Sequence, residues 1–210
     1  MGSKELEDEV IQLLEKPGAL SVVQAGDPVL RQKIDPYDGQ LDDTLLHKLI
    51  ARIRETMEQI HGCVGVAAPQ VGLRLRLAVL ATPGELSARL IRSRQQPVPF
   101  TVLINPSYQA MGSQRAASFE GCLSVPGWQA VVSRPDVIRL TREDEAGHHL
   151  VEKYSGLGAR IVQHETDHLD GTLYLDRAEV RSLSTTELVA SRWGPAGVAS
   201  AAAQFDFPLP

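Results

Sequence analysis

The stretch QHETDHLDG, residues 163–171, constrains this chain more than any other. His164 and His168 stand four apart, with Glu165 directly after the first. On an α-helix, positions i and i+4 lie about 40° apart around the axis, one turn above each other. Both imidazoles can then reach one ion, as in H-E-x-x-H metal helices, provided the segment is helical. The pattern predicts a helix from about Gly156 to Leu169, ended by Gly171. The competing reading is an ordinary solvated helix face.

A catalytic ion needs a third protein ligand and an open position for water. The candidates are Cys122, Cys63, His148, His149 and the local acids. The pair His148–His149 is weak, because neighbours on a strand point to opposite faces. No histidine follows the helix, and Glu179 has no special context. Cys122 sits in FEGCLSVPG, where glycines let the backbone approach a ligand closely. A thiolate with two imidazoles suits zinc or another late divalent metal, whereas a buried structural thiol is the rival reading. Glu165 and Asp167 lie about 60° to either side of the ligand pair, so the spacing leaves the choice of base open.

The 210 residues allow one domain or two small ones around a sizeable core. With 43% hydrophobic and 22% charged residues, and no apolar run long enough to cross a bilayer, the composition is that of a soluble globular protein, and no membrane association is expected. A net charge of -5 gives no general attraction for nucleic acid or anionic membrane, so direct nucleic-acid binding is not expected. The start MGSKELEDEV is acidic and lacks an apolar signal core. A cytosolic location is therefore expected. Two cysteines, Cys63 and Cys122, do not make a disulfide framework.

Residues 3–15 place Leu6, Val10, Leu13 and Leu14 on one helical face. A longer helix carries the stripe Leu45, Leu46, Leu49, Ile50, Ile53, Met57 and Ile60, stopping at Gly62. From Cys63 the texture changes to short β-like runs separated by Gly and Pro, with a turn at DEAG. Helix, many strands, then helix predicts an α+β fold rather than βαβ units. The segment TPGELSARLIRSRQQPVP (82–99) reads as a solvated loop insertion. STTELVASRWG opens with a capping box at Ser184–Glu187, and PAGVASAAAQFDFPLP reads as low-complexity, loosely ordered chain. The expected division is one catalytic domain over residues 1–178 and a C-terminal extension over 179–210.

Three stretches, GCVGVAAPQVG (62–72), EGCLS (120–124) and QHETDHLDG, resemble the three signature motifs of the peptide deformylases, in the family's order. GDPVLR (26–31) is similar to the family's N-terminal segment, and the resemblance spans roughly residues 20–178. It implies an α+β fold with curved antiparallel sheets around a central metal-binding helix. It also implies a hydrolase that removes the N-formyl group from the initiator methionine of new polypeptides, releasing formate. Carried over, the metal ligands are Cys122, His164 and His168, and the base is Glu165. The family metal is usually Fe(II), with Ni, Co or Zn substituting. The Gln70 side-chain amide and the Leu123 backbone N–H are implied as donors to the developing oxyanion. Val64, Gly65 and Gly121 match groove positions, and Leu157 and Ile161 join Val64 in an apolar pocket for the methionine side chain. N-formylmethionyl nascent peptides are the implied partners, and bacterial cytoplasm is the simplest location implied, with a processed organellar form as the alternative. Some bacterial members also associate with the ribosome through a C-terminal helix, though nothing in STTELVASRWG specifies it.

The chain departs from the family pattern in places. Cys63 stands where Gly is usual, Val66 where Leu is usual, and Arg160 where an apolar residue is frequent. The first is expected to alter pocket shape and the last to make the pocket mouth more polar. Two rival functions remain, a zinc peptidase and a catalytically silent relative. The upstream thiolate weighs against the first, and Gln70, Cys122 and Glu165 together weigh against the second.

Overall fold

The computed structural model describes residues 3–92 and 96–210. Helices α1 (Ser3–Glu15) and α2 (Asp43–Gln59) form where the two apolar stripes predict them. Asp42 caps α2, its side chain accepting from Leu45 N at 2.9 Å. Leu6, Val10 and Leu13 pack with Leu46, Leu49, Ile53 and Met57 in one buried cluster. Leu14, Leu45 and Ile60 border that cluster as partly buried residues.

Eight strands follow: β1 (Gly65–Ala67), β2 (Leu77–Leu80), β3 (Thr101–Ala110), β4 (Arg115–Cys122), β5 (Val125–Pro135), β6 (Val137–Glu143), β7 (His149–Ser155) and β8 (Ala178–Thr185). They form two antiparallel sheets, ordered β1-β2-β3-β6-β7 and β4-β5-β8. Between β7 and β8 runs α4 (Gly156–Leu169), which touches β1, β2, β3, β6 and β7 of the larger sheet and β5 of the smaller. Ala159, Val162 and Leu169 of α4 pack against Leu80, Leu103, Ile138 and Leu140. The result is the α+β architecture with a central helix expected from the sequence. Gly171 ends α4 at φ +71°, where an added Cβ would lie 2.8 Å from the Arg31 backbone. Left-handed geometry and close approach both require glycine there.

Two expectations are corrected. Within the 82–99 stretch, helix α3 (Gly84–Arg92) replaces the expected loop, while residues 93–95 lie outside the described residues. The Arg, Pro and Gln content masked an i, i+4 apolar pair, Leu86 and Leu90, of which Leu90 is buried. The ends of the insertion are tied together by Thr82 N donating to Val98 O (2.9 Å) and Val98 N to Thr82 Oγ1 (3.0 Å).

The C-terminal tail is packed rather than loose. β8 pairs with β5 across the boundary expected at 178. A helix at Val198–Phe205 then buries Ala201 and Ala202 with Val131, Val189, Trp193 and Phe207. Small alanine side chains let that helix sit close to the sheet, so a composition that resembles low complexity is here a packing surface. The local cap also moves by one residue, since Thr185 Oγ1, not Ser184, accepts from Leu188 N.

Candidate metal centre

The expected third ligand reaches the helix through a backbone irregularity. β4 and β5 pair regularly from Arg115↔Pro135 to Gly121↔Gln129, then shift register before Cys122↔Val125. Such a shift re-aims a side chain at the end of a ladder. Cys122 Sγ lies 3.3 Å from His168 Nε2, and the His164 and His168 ring centroids are 5.0 Å apart. One donor atom from each of Cys122, His164 and His168 lies within 4.8 Å of the others.

The remaining candidates stand apart. His148 and His149 are exposed beside Asp144 (3.0 Å) and Glu143 (3.4 Å). Cys63 lines the cavity, but its thiol donates to Gly65 O at 3.2 Å and burial pushes its pKa up to about 12. It stays protonated and is a poor ligand.

The donor set fits a divalent ion. His164 Nδ1–H donates to Glu120 Oε2 at 3.0 Å, an arrangement that fixes the ring and leaves Nε2 available. Burial pulls His168 well below the ordinary histidine range, favouring the neutral ring a metal needs. Burial also opposes charge on His164, but hydrogen bonds to Cys122 and Glu120 hold it well above that range, so an ion entering there displaces a proton. Glu165 Oε2 and His168 Nδ1 are buried without a hydrogen-bond partner, beside the three donors.

The two acids that the helical wheel left tied have different surroundings. Asp167 accepts from Arg134 Nη1 (2.8 Å), Arg177 Nε (2.7 Å) and Nη2 (2.9 Å), and the Tyr108 hydroxyl (2.9 Å). Both of its oxygens are committed away from the cavity. Glu165 lines the cavity, and burial raises its carboxyl to about 7 against the opposing charges of His164 and Arg134. Sequence reasoning passed over Glu120, although it lies within EGCLS. It accepts from Arg134 Nε (2.7 Å) and Nη2 (2.9 Å) as well as from His164. Burial opposes its charge, yet the His164 and Arg134 hydrogen bonds hold it far below the usual carboxylate range. Arg134, Tyr108 and Arg177 carry no local motif, so only the fold reveals them.

A cavity of about 560 Å³ opens onto this centre. Val64, Gly65, Gly121, Leu157 and Ile161 all line it, as do Gln70, Leu123, Cys122, His164 and Glu165. Gln70 follows β1 on a 3-10 turn, Ala68–Val71. Its Oε1 accepts from Ala67 N at 2.9 Å, which turns Nε2 toward Cys122 Sγ and Ser124 Oγ, each at 3.4 Å. Trp128 and, from beyond β8, Thr186 complete the rim, neither of which sequence reasoning selected. Gly65 has a reason beyond the one expected: an added Cβ would clash with Glu165 before it met any ligand.

The chain is similar to known proteins over most of its length. The sequence pattern described as polypeptide deformylase matches residues 19–183. Peptide deformylase 3 of Streptomyces avermitilis is 55% identical over 210 residues, covering 99% of this chain and 93% of the relative. Peptide deformylase 1 of Streptomyces coelicolor is 51% identical over 207 residues, covering 98% and 94%. Among solved structures, the Met-Ala-Ser-bound class I type b peptide deformylase of Acinetobacter baumannii is similar with a TM-score of 0.68 at 28% identity. That match covers 77% of this chain and 99% of the other.

Proposed function

The chain belongs to the polypeptide deformylase family, a family of metal-dependent hydrolases that remove the N-formyl group from newly made polypeptides, and we propose how its own residues carry out that reaction. Cys122, His164 and His168 hold the single metal ion, Glu165 is the base, and Gln70 and Leu123 donate to the oxyanion. The observation that carries this assignment is Glu165: a buried carboxyl with a free oxygen, lining a peptide-sized cavity beside one thiol and two imidazoles.

When bound, a divalent ion at these three residues supplies Lewis acidity that makes water a usable nucleophile near neutral pH. Glu165 accepts the water proton as the new C–O bond forms at the formyl carbon, then returns it to nitrogen as the C–N bond breaks. The products are formate and a free amine. Negative charge gathers on the formyl oxygen in between. Gln70 Nε2, whose orientation is set by the Ala67 N–H bond, and the Leu123 backbone N–H stabilise it.

Val64, Leu157 and Ile161 form the apolar wall for the methionine side chain, while Gly65 and Gly121 leave room for the extended peptide backbone. The peptide held by the Acinetobacter baumannii relative, Met-Ala-Ser, is what remains when formyl-Met-Ala-Ser loses its formyl group. We assign Fe(II) as the working metal from the family resemblance, and Ni(II), Co(II) or Zn(II) as able to substitute, since a thiolate with two imidazoles suits late divalent ions.

We place the enzyme in the bacterial cytoplasm, a reading supported by its Streptomyces relatives. No helix among the described residues is long and apolar enough to cross a membrane. Ribosome association through the tail would leave Ala201 and Ala202 out of the contact, because they pack inward.

The test is product analysis of anaerobically purified protein on formyl-Met-Ala-Ser and on Met-Ala-Ser. Formate from the first peptide alone is expected. Free methionine would point to an aminopeptidase, and neither product to a silent binder.

A further inference from the structure

We propose that Arg160 is a positioning residue of the metal centre, fixing the His164 ring through Glu120 and clamping α4 to β4 and β5. The inference rests on the metal reading above. From the sequence, Arg160 is expected to make the pocket mouth polar. Arg160 does line the cavity, and its guanidinium is tied to protein acceptors: Nη1 donates to Glu120 Oε1 and to Val132 O (3.0 Å), and Nη2 to Ala116 O (2.7 Å). The side chain is 12% exposed and Glu120 is 5% exposed, so the pair is largely shielded from water.

The need for this second cation follows from counting partners. Arg134 donates to Glu120 through Nε and Nη2 and to Asp167 through Nη1, so one guanidinium serves two buried carboxylates. Arg177 gives Asp167 a second cation, and Arg160 gives Glu120 its own. The order is Arg160–Glu120–Arg134–Asp167–Arg177, with each acid held between two bases. Glu120 then keeps Oε2 on His164 Nδ1. Without Arg160 the carboxylate keeps the Arg134 fork but loses the cation that ties Oε1 to the β4 and β5 carbonyls, so its hold on the imidazole is weakened rather than lost. A group bonded directly to a ligand, as Glu120 is to His164, commonly contributes about 10- to 100-fold in metal affinity, and Arg160 acts one step behind it. A lysine could not replace it fully, because one ammonium lacks the planar fork that meets a carboxylate and two carbonyls together.

The test compares wild type with Arg160→Met, Arg160→Lys, Glu120→Gln and the double variant Arg160→Met/Glu120→Gln. The readouts are Co(II) affinity of the metal-free proteins by chelator competition, the visible spectrum of the Co(II) forms, thermal unfolding, and KM for formyl-Met-Ala-Ser at saturating Co(II). Glu120→Gln should bind Co(II) about 10- to 100-fold more weakly, Arg160→Met up to about 10-fold more weakly with altered ligand-field bands, Arg160→Lys should lie between Arg160→Met and wild type, and KM should stay within about twofold. The double variant should lose little beyond Glu120→Gln, because both act through one carboxylate. Unchanged Co(II) affinity and spectrum in Arg160→Met would overturn the proposal. A changed KM would then make Arg160 a pocket wall, and a lowered melting temperature alone would make it a structural clamp. Should Arg160→Met not fold, Arg160→Lys and Glu120→Gln decide by the same readouts. Wild type supplies the separate check: one Co(II) per chain, with a thiolate charge-transfer band that Cys122→Ser abolishes. Absence of that binding would remove the metal reading itself, and the proposal with it.

Discussion

Glu165 occupies the space where a side chain at Gly65 would begin: a Cβ built on Gly65 lies 2.4 Å from Glu165 Oε1. The glycine of β1 and the carboxylate of α4 therefore specify each other across 100 residues. Gly65→Ala is expected to push Glu165 aside while leaving Cys122, His164 and His168 in place. A displacement of about 1 Å at a reacting group can cost about 100-fold in rate. We expect kcat to fall by about that factor with metal content by elemental analysis unchanged. An intact kcat with a raised KM would instead assign the glycine to substrate approach.

Glu165 and Asp167 should fail in different ways. Glu165→Ala is expected to lower kcat by about 100- to 10,000-fold, the usual range for general acid–base catalysis, while the protein still folds and binds its ion. Asp167→Ala strips the buried Arg134 of one of its two carboxylates and the exposed Arg177 of its partner. Its cost should appear as stability, about 3 kcal/mol or more by denaturant unfolding. Comparable stability losses in both variants, with comparable kcat, would reject this division of roles.

Gln70 is held before substrate arrives, by Ala67 N on one side of its amide and Cys122 and Ser124 on the other. Gln70→Ala removes a preset donor and should lower kcat by about 100- to 1,000-fold. KM should change little, because the bond strengthens as charge develops on oxygen. A rise in KM at constant kcat would mean that the amide binds the ground state instead.

The metal-free protein should show a pH signature from Glu165. Burial raises its pKa from 4.5 to about 7, partly offset by His164 and Arg134. The folded chain thus keeps a proton that the unfolded chain releases near 4.5. This group's stabilisation is complete below that value and is lost as pH rises through about 7. Urea unfolding of wild type and Glu165→Gln from about pH 5 to 8 should reveal the difference, on the order of 3 kcal/mol. A difference of opposite sign would mean that the carboxylate is charged in the metal-free core.

Much of this molecule is local and therefore legible in the chain. The i, i+4 histidines and the Gly171 stop specify α4 over Gly156–Leu169, the bounds that the fold adopts. The apolar stripes of α1 and α2 are likewise buried as their periodicity predicts. Reading failed where composition stood in for spacing. The Arg-rich insertion conceals α3, and the alanine-rich tail conceals a helix that packs on the β5–β8 sheet.

Spacing on a single helix determined that two imidazoles share a face, because a covalent repeat of 3.6 residues per turn needs no partner to express itself. It left Glu165 and Asp167 equivalent, since both flank that face. Only the tertiary structure separated them, by bringing Arg134 from β5, Tyr108 from β3 and Arg177 from the turn before β8 onto Asp167 while Gly65 of β1 made room for Glu165. A side chain's chemistry depends on the charges and free volume around it, and those arrive from residues that the sequence keeps far apart.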